Sequence, residues 1–196
     1  MITRFRLFRL IPLLAILTVL LSSCFNPFHP NLRNNGNQTI LHDTPSAVLQ
    51  TLELSYRQKN LELFQSCLAQ DFRFELLSAE VSIIGIDWNN DGFKDSWWGF
   101  DQEVEYHRNL FQNGSSDGSF PPPDQIFLRL QIPPQDQWES DPQVGNEDWV
   151  VIPCLFDLQL TYANSSSLSS NGVARFFLKP VNNRWYIAVW RDESNI

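Results

Sequence analysis

Trp149-Val150-Val151-Ile152-Pro153-Cys154-Leu155-Phe156-Asp157-Leu158-Gln159-Leu160-Thr161-Tyr162 is the stretch whose reading decides the fold. Val150, Ile152, Cys154, Phe156, Leu158, Leu160 and Tyr162 fall on one side at period two, and Asp157, Gln159 and Thr161 on the other. Side chains alternate faces along a strand, so this is a long strand with one face in a core. Pro153 cannot donate to a ladder and predicts a bulge or an unpaired edge at that point. Two further strands follow, Val173 to Lys179 and Arg184 to Arg191, joined by Pro180-Val181-Asn182-Asn183, a hairpin loop built on Asn-Asn. Upstream, Gln125 to Ile132 alternates in the same way, with Ile126, Leu128, Leu130 and Ile132 on one face. The polar run Asn164 to Asn171 reads as an exposed connection.

Helical spacing dominates the preceding region. Thr44-Pro45 supplies an N-cap and a proline at the first helical position, and Val48, Leu49, Leu52 and Tyr56 recur on one stripe, which predicts a helix from Pro45 to Lys59. Asn60 caps a second, short helix through Leu61, Phe64 and Leu68 that ends before Asp71. Phe72, Phe74 and Leu76 then alternate with Arg73 and Glu75, and Val81 to Trp88 is a second apolar β candidate. A third helix capped by Asp101 carries Val104, His107 or Arg108, and Phe111, and stops at Asn113-Gly114.

Helices first and long strands after is the α+β order, in which helices cover one face of a sheet. The helix Pro45 to Lys59, the pair Leu61 to Phe74, the helix Asp101 to Gln112 and the closing strands with Gly172-Val173-Ala174-Arg175-Phe176-Phe177 and Arg184-Trp185-Tyr186-Ile187 together resemble the nuclear transport factor 2-like superfamily, over residues 44–196. The resemblance implies a cone-like roll: about three N-terminal helices packed on a strongly curved antiparallel sheet, with a pocket at the open end. It implies no single function, because the same cone serves isomerases, dehydratases, cyclases and noncatalytic binding modules.

The N-terminus carries a separate message. Arg4, Arg6 and Arg9 precede an apolar run from Leu10 to Leu21, and Leu21-Ser22-Ser23-Cys24 closes it. The run is short for a membrane span, which takes about 20 apolar residues. It resembles a bacterial lipoprotein signal peptide, residues 1–23, and implies that Cys24 becomes the lipidated N-terminus and the link to a membrane. Residues 24–43, rich in Asn and Pro, read as a flexible tether. The expected address is the extracytoplasmic side of the bacterial cell envelope. Phe25 stands where an Asp resembles an inner-membrane retention signal, which favours the outer membrane if there are two.

Charge narrows the partners. Removing residues 1–23 takes away three of the 14 basic residues and none of the 22 acidic ones, so the formal charge deepens from −8 to −11. A chain this acidic lacks the basic stripe that nucleic acid requires, and no nucleic-acid partner is expected. Cys67 and Cys154 both lie in apolar segments, where pairing and simple burial are alternative readings.

Three groups of residues could carry chemistry. Asp87-x-Asn89-x-Asp91-Gly92-x-x-Asp95 resembles the first half of a calcium loop, but the twelfth position is Trp98 instead of Glu. Calcium is the one cofactor suggested, against a solvated Asp/Asn/Gly turn that needs none. His107 is the only imidazole within a predicted element. It could serve as a base with Asp157 or Tyr56 as orienting partners, or form a local hydrogen bond near Glu103. Trp97, Trp98, Phe111, Phe177 and Trp190 could line an apolar cavity or fill the core of a curved sheet. The leading expectation is a membrane-anchored, noncatalytic lipoprotein that binds an apolar small molecule or an envelope protein. The alternatives are a dehydratase, isomerase or cyclase that uses His107, and a calcium-stabilised interaction module.

Overall fold

A computed structural model describes residues 42–87, 91–164 and 166–193. Cys24, the signal and most of the tether lie outside the described residues, as does Asn89. No helix among the described residues is long and apolar enough to cross a membrane.

Helix α1 spans Pro45–Gln58. Thr44 Oγ1 accepts from the Ala47 amide at its start, and Lys59 closes it in the left-handed region at φ 49°. Val48, Leu49 and Leu52 have no exposed surface, so the expected stripe is the buried one. Asn60 Oδ1 accepts from the Leu63 amide and starts α2, Leu61–Cys67. Strand β1, Leu68–Glu75, follows directly.

Next comes α3, Ser78–Ile84, where the sequence suggested a strand. The Glu80 carboxylate accepts from the Leu77 amide and satisfies a donor that a helix start leaves open, and this local capping decides between two readings of a short apolar run. Strand β2, Trp97–Gly99, leads into α4, Phe100–Arg108, whose last turn widens into a π-helical turn over Asn109–Asn113. Gly114 ends it at φ 85°, and a Cβ there would lie 2.3 Å from the Phe120 carbonyl oxygen. Strand β3, Gln125–Gln131, the short β4, Glu139–Ser140, and the long β5, Val150–Thr161, β6, Ser167–Val181, and β7, Arg184–Asp192, complete the chain.

The sheet order is β2-β1-β7-β6-β5-β3, with β4 also on β5. It is mixed rather than wholly antiparallel, because β1 lies parallel to β7. Asn182 and Asn183, at φ 50° and 61°, make the tight β6–β7 turn that the sequence implies. Pro153 sits between the end of β4 pairing at Val151 and the start of β3 pairing at Leu155, where no donor is needed on that side. In β7, Ala188 is an extra residue between the pairs Leu178↔Ile187 and Phe177↔Val189, a bulge of the kind that bends a sheet. Glu53 of α1 accepts from the Leu130 amide at 2.6 Å and ties the helix to the free edge of β3. Helices and curved sheet thus enclose one core, in which Phe64, Phe72, Phe111, Phe176, Ile152 and Leu178 are fully buried.

Candidate functional site

Two regions hold polar groups in quantity, and the sheet separates them.

The first is inside the cone. Tyr56 of α1 and His107 of α4 meet across the core, with Tyr56 Oη 2.6 Å from His107 Nε2. Burial pushes the Tyr56 pKa well up, and Glu103 adds to it, so the phenol keeps its proton and donates to Nε2. His107 Nδ1 lies 3.0 Å from the Glu103 carbonyl oxygen, an acceptor, which assigns the ring proton to Nδ1. The Glu103 carboxylate lies 3.4 Å from the same nitrogen and accepts from Trp98 Nε1 at 2.5 Å.

Burial pushes the carboxyl up to about 7 and the imidazole down to about 4, the latter against the pull of the Glu103 carbonyl. Both shifts oppose an ion pair, and His107 is neutral at physiological pH. Phe64 stacks on the imidazole at 3.7 Å between centroids, while Tyr56 and Phe111 meet it edge-on. Both ring nitrogens therefore have partners and one ring face is covered by carbon. A Tyr–His–Glu relay is present, but its atoms are engaged with one another.

The inner surface beyond this cluster is aromatic. Trp98, Phe74, Trp190 and Phe176 lie in direct register across β2, β1, β7 and β6. Trp98 stacks on Phe74 at 4.4 Å, and Trp190 contacts Phe74 and Phe176 at 5.7 and 5.0 Å.

The second region is the opposite face of the same strands. One residue along, the register reads Trp97, Glu75, Arg191 and Arg175. Arg191 donates from Nε and Nη2 to Glu75 Oε2 at 2.9 and 2.6 Å. Arg175 donates to Glu193 at 3.0 Å and to Glu139 at 2.6 Å, and Lys179 to Asp71 at 2.5 Å. Burial raises the Asp71 carboxyl, but Lys179 outweighs it and holds the group below the ordinary carboxylate value. Arg73 lies 5.1 Å from the Trp97 ring centroid, Arg191 5.0 Å from Phe177 and Lys179 5.5 Å from Trp149. β4 and the loop through Asp141, Asn146 and Trp149 rise along one side, leaving a half-open groove of about 720 Å³.

Strand parity sorts the residues that the sequence singled out. Tyr56 and His107 come together. Asp157 does not join them: it lies on the face of β5 opposite Phe156 and Leu158, which pack on the core, and its cross-strand partners are Arg129 and Asn171. Of the aromatic set, Phe111 is core, Trp98 and Trp190 line the inner face, and Trp97 and Phe177 belong to the outer one. They do not form a common cavity.

Asp87 gives its two carboxylate oxygens to the amides of Asp91 and Gly92, at 3.1 and 2.9 Å, and Asp91 Oδ1 accepts from the Phe93 amide. Asp95 pairs with Ile86 in an isolated bridge. Among the described residues, no group of three His, Cys, Asp or Glu side chains is arranged to hold a metal. Cys67 and Cys154 are both free thiols, which burial pushes up to about 12. Glu103 enters the sequence reading only as a local neighbour of His107; its spacing of four residues from that histidine on one helix is the signal that finds it. The outer basic residues carried a signal too, since Arg73 and Arg175 alternate with core phenylalanines.

No protein-family model and no curated protein matches the chain. Among solved structures it is similar to a protein from Novosphingobium aromaticivorans assigned as an aromatic ring hydroxylase, with TM-score 0.52, 12% identity and coverage of 77% of this chain and 86% of that one. It is similar in the same degree to one assigned as a scytalone dehydratase from Novosphingobium aromaticivorans, with TM-score 0.52, 8% identity and coverage of 77% and 81%. A nuclear transport factor 2-like protein of unknown function from Shewanella oneidensis lies further off, with TM-score 0.42, 11% identity and coverage of 75% and 93%. At such identities the likeness is one of fold alone, helices packed on a strongly curved sheet.

Proposed function

We propose that this chain is a lipoprotein anchored through Cys24 to the cell envelope, and that its cone is a noncatalytic binding domain that engages its ligand on the outer face of the sheet. The observation that carries this reading is the packing of His107. Its two nitrogens are engaged by Tyr56 and Glu103, and its ring is stacked on Phe64 with 7% of the residue exposed. A general base has to reach its substrate's proton within hydrogen-bond range, and here that range is filled by the protein's own side chains. The outer groove is open and is built from charged side chains held in place by one another. An apolar molecule inside the cone is not part of this proposal, because Trp97 and Phe177 lie on the far side of the sheet from Trp98 and Trp190.

A second reading keeps one observation in its favour. The chain Tyr56 Oη, His107, Glu103 has the makings of a general acid–base relay, and a motion that opened the cone would turn it into one. Diethyl pyrocarbonate, which acylates accessible neutral imidazoles, separates the two. The binding reading expects His107 to stay unmodified in the native protein while His29 in the tether reacts. Reaction of His107 at a comparable rate would favour the enzyme. The anchor has its own test: Cys24→Ser is expected to move the chain from the membrane fraction to the soluble one, and retention in the membrane would refute lipid attachment.

A further inference from the structure

We infer that the outer groove is a saccharide site, selective for uncharged sugar units. The inference rests on the binding reading above and names the ligand class of that same groove.

Four cations face the groove or its rim, and three of them are already neutralised: Lys179 by Asp71, Arg191 by Glu75, and Arg175 by both Glu193 and Glu139. The fourth, Arg73, lies over the Trp97 ring. At Arg191, Arg175 and Lys179 an anionic ligand would have to displace a carboxylate, and at Glu75, Glu139 and Glu193 a cationic one would have to displace an arginine. Each exchange gives up one charge-assisted bond to gain another and adds a desolvation cost. Arg73, over the Trp97 ring, and Asp141, bonded to the Gln143 amide and Asn146, are the groove charges outside these pairs.

A neutral ligand disturbs none of these pairs and can use what they leave over. Arg191 spends two donors on the single oxygen Glu75 Oε2, so Oε1 remains an acceptor without a partner among the described residues. Arg175 commits Nε and Nη1, which leaves part of its fork of five donors. Donors and acceptors therefore stand side by side on groups that their partners already immobilise. That arrangement suits hydroxyl groups, each of which gives one hydrogen bond and accepts others. It costs little ordering entropy, because the side chains are fixed beforehand.

Trp149 supplies the other half of a sugar site. It is half-buried on the groove wall, beside Asn146, whose side-chain amide is held by Asp141 at 2.7 Å. The electron-rich face of an indole attracts the polarised C–H groups on the apolar side of a sugar ring; Lys179 Nζ lies 5.5 Å from the Trp149 ring centroid, so the sugar would use the indole surface that Lys179 leaves. A groove of about 720 Å³ leaves room for an extended chain to enter and leave.

The test is calorimetric titration of the full lipoprotein in a polyoxyethylene detergent, since maltoside detergents carry a disaccharide head. Glucose, maltose and cellobiose are compared with glucosamine and glucuronate, at low and high salt. Saturable binding of at least one neutral sugar is expected, unchanged by salt, with both charged sugars about tenfold weaker than glucose or more. Trp149→Ala and Arg175→Gln are each expected to weaken binding about tenfold, with Phe93→Ala, an exposed residue outside the groove lining, as the unaffected control. Melting curves confirm that each variant folds.

Absence of binding by every neutral sugar would overturn the saccharide site, as would glucuronate or glucosamine binding as tightly as glucose. So would a dimer in sedimentation that Glu139→Arg disrupts, which would make the groove a contact with a second copy. Failure here with His107 still protected from diethyl pyrocarbonate refutes the ligand class alone. Rapid acylation of His107 refutes the underlying binding reading.

Discussion

Two neighbouring rows of side chains cross the same four strands and live by different physics. Trp98, Phe74, Trp190 and Phe176 form the inner row, while Trp97, Glu75, Arg191 and Arg175 form the outer one. The inner row is held by ring contacts and burial, the outer by ion pairs in contact with water. Stability is therefore concentrated inside, where a lost ring leaves a void, and adaptability outside, where a lost charge is partly replaced by solvent. At Tyr56, His107 and Glu103 the interior holds polar groups that are bonded to one another. Under the proposed binding reading, the polar surface that meets a ligand is the one on the sheet's outer face.

The largest expected effect is a void in the inner row. Phe176→Ala should cost about 3–5 kcal/mol, measured by denaturant unfolding, because a fully buried ring is removed. A loss under about 1 kcal/mol would mean that the interior is loosely packed and the contrast of the two faces is wrong.

The buried cluster comes next, with opposite slopes for its two titrating groups. His107 is held near 4 against an ordinary 6.5, so the unfolded chain binds the proton first, and this contribution to stability grows as pH rises from 4 to 6.5. Glu103 is held near 7 against 4.5, so its contribution is full below 4.5 and is lost as pH rises through 7. Between pH 4.5 and 6.5 the two oppose each other, and the unmodified domain should show a nearly flat profile. Glu103→Gln should uncover a stability that rises with pH, and His107→Phe one that falls, each by up to about 1.4 kcal/mol per pH unit. Parallel profiles for the two variants would contradict the assigned protonation states.

Trp98→Phe is a smaller intervention. It keeps the stack on Phe74 but removes the donor to Glu103, and should cost about 1–3 kcal/mol near pH 8, where the carboxylate is ionised, and less at pH 5. The outer row should respond least. Glu75→Gln breaks the pair with Arg191, whose side chains are 29% and 37% exposed, and should change stability by no more than about 1 kcal/mol, with the difference shrinking at high salt. A loss comparable to that of Phe176→Ala would erase the distinction between the faces.

Much of the framework was legible because it is written locally. Thr44-Pro45 and Asn60 cap helices through their own side chains, Asn182-Asn183 tolerates the left-handed turn, and the alternation through Val150 to Thr161 needs only period two. What was not legible turns on contacts that residue type alone does not show. Val81 to Ile84 is apolar enough for either element, and the Glu80 contact with Leu77 settles it as helix. The parallel placement of β1 on β7 joins residues more than a hundred positions apart. The aromatic set failed as a cavity because residue type does not reveal face: Trp97 and Trp98 are adjacent in a strand and so must diverge. Asp157 is the instructive miss. The alternation that defined its strand already set it opposite Cys154 and Phe156, which argues against an inward partner for His107.

The central claim is that His107 is sealed by Tyr56, Glu103 and Phe64. It is tested most directly by treating the native full-length chain with diethyl pyrocarbonate and measuring acylation at each histidine by mass spectrometry. The account predicts modification of His29 with His107 untouched until denaturant unfolds the domain. Acylation of His107 in the native state, at a rate near that of His29, would contradict it.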